Sequence, residues 1–187
     1  MAGKQPRILN EYLVACAKDG DRDAFALLVR RWQKRLIAHA LRLTGDREAA
    51  RDAVQTAWGE IVRGLNRLQD ERAFPAWAYR IVSRACARQI GQNVRRRDIA
   101  DTLADEPETE PPDPDAGIEG QRLRAAIRSL PPQQRAAIAL FHFQEMSIAE
   151  VAVSLDVPAG TIKTRLMHAR RKLRAILEGE TRCETST

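Results

Sequence analysis

The chain has 187 residues, enough for one domain or two small ones, and its 5% aromatic content suits packed helices better than a β-sandwich. The formal charge is +6, yet residues 98–119 hold nine acids and no Lys or Arg, so the remainder carries +15. A basic body with an acidic insert points to an anionic polymer as partner, and gives the insert the charge to compete for the same basic surface.

Residues 8–18 read as a short amphipathic helix with Ile8, Leu9, Tyr12, Leu13 and Cys16 on one side, ended by Gly20-Asp21. A longer helix is predicted over 23–43. There Phe25, Leu28, Trp32, Leu36, Ala40 and Leu43 recur every three or four residues, and Arg30, Arg31, Lys34, Arg35 and Arg42 fill the opposite side. Gly45-Asp46 stops that helix and caps the next. The third helix, 47–65, places Ala50, Val54, Ala57, Ile61 and Leu65 on one face, with Arg51, Asp52, Gln55 and Thr56 pointing elsewhere.

Residues 66–73 are polar and aperiodic and read as a loop. Pro75 suits the first turn of a fourth helix. On it Trp77, Ile81 and Ala85 share a face, Cys86 lies near the edge, and Arg80, Arg84 and Arg88 form a stripe that Arg95-Arg96-Arg97 extends. Four such helices close a core of about 85 residues, a size that folds alone at modest stability. Residues 98–117, rich in Pro and acids, cannot bury enough to order themselves and are expected to form a flexible linker.

Helix resumes over 118–129, with Leu123, Ala126, Ile127 and Leu130 as its apolar set. Leu130-Pro131-Pro132 breaks it, and 133–144 forms the next helix with Ile138, Leu140, Phe141 and Phe143. Ser147 and Glu150 then make a capping box for a short helix whose face is Ile148, Val151, Ala152 and Leu155. Asp156-Val157-Pro158 interrupts it, because proline supplies no amide hydrogen. A second helix starts near Ala159-Gly160. Ile162, Leu166, Ala169 and Leu173 form its apolar stripe, and Thr161, Lys163, Thr164, Arg165, His168, Arg170, Arg171 and Lys172 its polar face. Capping box, breaker and basic second helix in that order make a helix-turn-helix, weighed against a solvated hairpin with a basic outer face. Residues 178–187 read as a frayed tail.

No secretion signal or membrane span is expected: the start lacks a basic-then-apolar layout, and the longest wholly apolar run is 136–141. Cys16, Cys86 and Cys183 are scattered and odd in number, which gives no disulfide framework and fits a reducing cytosol. His39, His142 and His168 are isolated, so no metal site is expected. No phosphate loop, nucleophile elbow or paired carboxylates occur, so no cofactor or catalytic residue is expected and the chain reads as a non-enzyme.

The Arg80/Arg84/Arg88 stripe has no carboxylate within four residues on its own helix. It reads as a phosphate track, with a solvated face as the alternative. Asn66, Arg67, Gln69 and Arg72 in the adjacent loop carry the amide and guanidinium groups that bond an unstacked base; a plain connector is the other reading. Trp32, Trp58 and Trp77 read as core residues rather than stacking platforms. At the start of the last helix, Thr, Lys and Arg suit base edges, and Arg and Lys suit phosphates.

Taken together, these blocks resemble a bacterial RNA polymerase sigma factor of the extracytoplasmic-function (ECF) group. The segment 46–65 with Ala53-Val54-Gln55 is similar to the helix that docks on the clamp coiled coil of the largest polymerase subunit. The resemblance implies core-polymerase contacts by Asp52 and Gln55; Thr56 stands where the family often has an acid. Phe74-Pro75-Ala76-Trp77-Ala78-Tyr79-Arg80-Ile81 resembles the start of the helix facing the −10 element, and the loop before it the base-capturing loop. Arg84 and Arg88 stand where Asn and Asp are common. Leu130-Pro131-Pro132-Gln133-Gln134-Arg135 and 157–166 are similar to the second domain. They imply −35 recognition by Thr161, Lys163, Thr164 and Arg165, with Arg170, Arg171 and Lys172 on phosphates.

The expected fold is therefore all-α. It comprises a four-helix unit over 1–97, an acidic linker over 98–117 that threads towards the polymerase active centre, a helix-turn-helix unit over 118–178 and a tail over 179–187. The resemblance implies a cytoplasmic initiation factor for core RNA polymerase and promoter DNA, held by an anti-sigma factor that can keep it at the membrane. A stand-alone helix-turn-helix regulator is the competing reading.

Overall fold

A computed structural model describes residues 5–99 and 117–184, with side chains described for 7–92, 117 and 119–178. The linker from 100 to 116, the side chains of Arg95, Arg96 and Arg97, Cys183 and the tail's side chains lie outside those residues. Eight α-helices and no strand occur among the described residues: α1 (Gln5–Lys18), α2 (Arg22–Thr44), α3 (Arg47–Gly64), α4 (Phe74–Ile99), α5 (Ile118–Arg128), α6 (Pro132–Ile138), α7 (Ile148–Leu155) and α8 (Ala159–Glu184). α4 reaches two residues into the stretch expected to be linker. α6 continues as one π-helical turn, Ala139–Phe143, to the end expected for it.

The helix boundaries follow local chemistry. Asp21 caps α2 by accepting from the amides of Asp23 and Ala24. Gly45 closes α2 at φ +74°, a left-handed position that a side chain would strain, and the next residue, Asp46, caps α3. Ser147 and Glu150 form both halves of the predicted capping box.

α1, α2, α3 and α4 pack around Leu13, Val14, Leu28, Leu36, Val54, Ile61, Phe74 and Val82. Trp32 is buried there, with its ring edge-on to Phe74 at 5.4 Å and to Tyr79 at 5.9 Å. Trp58 and Trp77 are half-buried against the same core. α6, α7 and α8 pack around Ala137, Leu140, Val151, Ile162, Leu166 and Ala169.

Two predicted apolar faces need correction. On α1, Leu13 and Val14 are buried while Ile8, Leu9 and Tyr12 are exposed, because α2 covers only one edge of the arc. Leu123 of α5 is exposed, whereas Ala126, Ile127 and Leu130 are buried. Cys86 is fully buried, as expected of a small core residue, and burial pushes its thiol up to about 12.

The two helix groups touch. α4 packs on α7, and α2 reaches α6 and the π-helical turn. The Tyr79 hydroxyl donates to Gln144 Oε1. The Arg42 guanidinium lies 4.2 Å from the centre of the Phe143 ring.

Candidate nucleic-acid and polymerase interface

Four groups of residues make up the candidate surface. The first is the polar face of α8. The buried Ile162, Leu166 and Ala169 anchor that helix, which leaves Lys163, Thr164, Arg170, Arg171 and Lys172 exposed and Thr161 and Arg165 half-exposed. Arg165 donates to Gln133 Oε1 at 2.8 Å, so the first turn of α6 orients a side chain at the start of α8. Arg170 leans on the Phe141 ring at 5.6 Å and approaches His142 Nε2 at 3.5 Å. Partial burial and then the Arg170 charge hold His142 below its ordinary range.

The second group is the segment before α4, which is not a featureless loop. Two 3-10 turns, Leu65–Arg67 and Glu71–Ala73, bracket it. Lys18 Nζ meets Glu71 Oε1 at 2.6 Å and ties it to α1, and this contact holds the Glu71 carboxyl below its ordinary range. Asp70 accepts from the Arg72 amide at 2.9 Å and from Arg72 Nε at 3.0 Å. Gln69, Asp70, Glu71 and Arg72 border one side of a shallow, open depression of about 610 Å³, and Glu11, Tyr12 and Ala15 of α1 border the other. Asn66 and Arg67 are exposed on the preceding turn, outside this depression.

Tyr12 and Glu11 were not singled out as site residues from sequence. Tyr12 is 64% exposed at the rim of this depression. An aromatic face beside amide, carboxylate and guanidinium groups is what an unstacked base requires.

The third group is the α4 stripe, and it is paired. Arg80 NH2 meets Asp156 Oδ1 at 2.6 Å, Arg84 NH2 meets Asp156 Oδ2 at 2.8 Å, and Arg88 pairs with Glu60 of α3. The expectation of unpaired guanidiniums is therefore wrong: the acids come from α3 and from the end of α7, not from α4 itself. Hydrogen bonds from Arg80 and then Arg84 hold the Asp156 carboxyl below its ordinary range. Next to this contact runs an apolar groove of about 480 Å³, with Leu43, Cys86 and Ile90 on one side and Ala136, Leu155 and Val157 on the other.

The fourth group lies on α3. Asp52 and Gln55 are exposed and share a shallow depression of about 500 Å³ with Thr56, Gly59 and Arg63. Arg63 completes this patch and had no sequence signal. Among the described residues no group of His, Cys, Asp and Glu could hold a metal ion, and no helix is long and apolar enough to cross a membrane.

The model of sigma-70 region 2 matches residues 28–96, and that of sigma-70 region 4 matches 120–173. The ECF RNA polymerase sigma factor SigM of Mycobacterium tuberculosis (strain Erdman) is 34% identical over 169 residues, covering 90% of this chain and 84% of its own. The ECF RNA polymerase sigma-E factor of Escherichia coli K12 is 29% identical over 179 residues, covering 89% of this chain and 93% of its own. The fold is similar to that of the sigma factor RpoE solved in complex with the anti-sigma factor NepR from Bartonella quintana, with a TM-score of 0.73, 23% identity and coverage of 82% of this chain and 96% of that one. CnrH, solved with the cytosolic domain of CnrY, is similar at a TM-score of 0.69 and 24% identity, over 91% of this chain and 98% of its own. Matched by both sigma-70 region models and by relatives aligned over about nine-tenths of its length, one of them 34% identical, this chain belongs to the ECF RNA polymerase sigma factors.

Proposed function

We propose that this alternative sigma factor divides its work between two helical units, 1–97 and 118–178, joined by the acidic strap 98–117. The first unit binds core RNA polymerase through the exposed α3 patch of Asp52 and Gln55, with Arg63 beside them. It holds the −10 strand with the depression bordered by Gln69 and Arg72, with Asn66 and Arg67 on the approach and Arg80, Arg84 and Arg88 on the backbone. Tyr12 supplies the stacking face that the loop itself lacks. Extruding a base costs a few kcal/mol, and stacking plus phosphate contacts offset it.

The second unit reads the −35 major groove with Thr161, Lys163, Thr164 and Arg165, while Arg170, Arg171 and Lys172 hold phosphates. The observation that carries this reading is the helix-turn-helix itself. Its capping box, left-handed turn and basic α8 leave the start of α8 exposed, with Arg165 oriented by Gln133. Sigma factors are initiation factors rather than catalysts, so binding energy does the work.

An anti-sigma factor is the proposed regulator, in keeping with the complexes in which the two fold neighbours were solved. The proposed location is the cytoplasm, with membrane sequestration when that regulator is anchored there. Reconstituted transcription with core polymerase and a promoter library tests the whole. Initiation from a defined −35/−10 pair is expected. Failure to associate with core polymerase at any salt concentration refutes it. Asp52→Ala is expected to weaken core binding while leaving α8 binding to DNA intact.

A further inference from the structure

We propose that Asp156 is an internal latch: its carboxylate occupies the Arg80/Arg84 track in place of a DNA phosphate and holds the free chain closed. The inference rests on the assignment of that track to the −10 strand. One carboxylate spans two arginines one helical turn apart, Oδ1 on Arg80 at 2.6 Å and Oδ2 on Arg84 at 2.8 Å. That spacing suits the two oxygens of a phosphate equally well.

The backbone gives an independent reason. Asp156 sits at the C-cap of α7 with φ +57°, where the left-handed conformation favours glycine or asparagine. Capping alone does not call for a carboxylate there. Nor does DNA binding, since Asp156 stands at the turn leading into the helix assigned to the −35 groove, where an acid faces phosphates. Its two ion pairs lie across the junction, on α4.

Closure and promoter binding exclude one another. The −10 and −35 elements lie about 25 base pairs apart, roughly 85 Å at 3.4 Å per step. In the closed chain the turn before α8 touches the arginines assigned to the −10 strand. One molecule cannot occupy both elements in this form. Opening frees the track and the turn together.

The latch is weak enough to work. The Asp156 side chain is 56% exposed, so solvent screens both pairs. Losing them lowers the closed-to-open ratio by a few-fold, up to about tenfold.

Single-molecule energy transfer on the full chain tests this, with dyes on cysteines placed at exposed Val62 and Met167 and the native cysteines replaced by alanine. Asp156→Asn keeps a residue that accepts the left-handed turn and removes only the charge. It is expected to raise the open population several-fold. Raising salt is expected to shift the wild type the same way and the variant less. Asp156→Lys is expected to open the chain further, and adding Arg80→Glu and Arg84→Glu to it to close the chain again.

A mixed-sequence single-stranded 12-mer of DNA is expected to bind Asp156→Asn several-fold more tightly than wild type. An unchanged open population in Asp156→Asn overturns the latch. An increased open population with unchanged 12-mer affinity overturns the masking of the track, and with it the assignment of Arg80 and Arg84. Failure of the promoter assay with an intact latch signal overturns the functional reading instead.

Discussion

Tyr12→Ala isolates the stacking role of α1. Base–aromatic stacking, measured by alanine substitution, amounts to roughly five- to a hundredfold in affinity per base. Tyr12 is 64% exposed and offers the base one face, with Gln69 and Arg72 across the depression. The expected loss therefore lies at the low end, about five- to tenfold in Kd for a single base. Folding is little affected, because Leu13 and Val14 carry the packing of α1. The assay is binding of the assembled holoenzyme to a single-stranded −10 oligonucleotide with 2-aminopurine at the extruded position. Stacking quenches that fluorescence, so the wild type gives a dark complex and Tyr12→Ala a bright one. Tyr12→Phe keeps the ring and is expected to stay within about twofold of wild type, since stacking needs only the π face. The slope of log Kd against log salt is expected to be unchanged, because no charge is removed. Alanine within twofold of wild type, or phenylalanine as damaging as alanine, refutes the stacking role.

His39 is fully buried, with Nε2 3.0 Å from Ser83 Oγ; burial, and then the Arg42 charge, lower it from 6.5 to about 3. The unfolded chain binds this proton first, so stability is complete above pH 6.5 and declines as pH falls towards 3, by up to about 1.4 kcal/mol per unit. Urea midpoints from pH 7 to 5 are expected to fall more steeply for wild type than for His39→Gln, and parallel slopes refute the assignment. Gly64→Ala places a Cβ 2.9 Å from Trp77 Cζ2 and is expected to cost about 1–3 kcal/mol, read by thermal unfolding and the near-ultraviolet signal of Trp77. An unshifted Tm means the indole yields freely. Arg165→Ala is expected to cost about 1–3 kcal/mol at one −35 base pair, with Gln133→Ala weakening the same base pair less. Equal loss on every sequence reassigns Arg165 to phosphate.

Where a boundary depends on nearby residues, the sequence was enough to find it. Gly45-Asp46 and Ser147/Glu150 act within one turn of chain, and both behave as their chemistry requires. Periodicity finds an apolar arc but not which edge of it a neighbour covers, hence the reversal at Ile8, Leu9 and Tyr12 and at Leu123. The arginine stripe was visible as spacing. Its partners Glu60 and Asp156 were not, since pairing across helices leaves no local mark. The α1 side of the depression was hidden for the same reason: Tyr12 borders the same hollow as Gln69 and Arg72 only once α1 has packed on the 3-10 turns.

The groove beside Asp156 bears on how the halves part. Atoms lining a void have no neighbours on that side and forfeit their dispersion attraction. Leu43, Cys86 and Ile90 therefore cling less firmly to Ala136, Leu155 and Val157 than continuous packing allows. Leu43, Cys86 and Ala136 are nonetheless buried in the closed chain, so separation exposes apolar surface on both rims of the groove. Opening along the groove therefore carries a hydrophobic cost that the void lowers without removing.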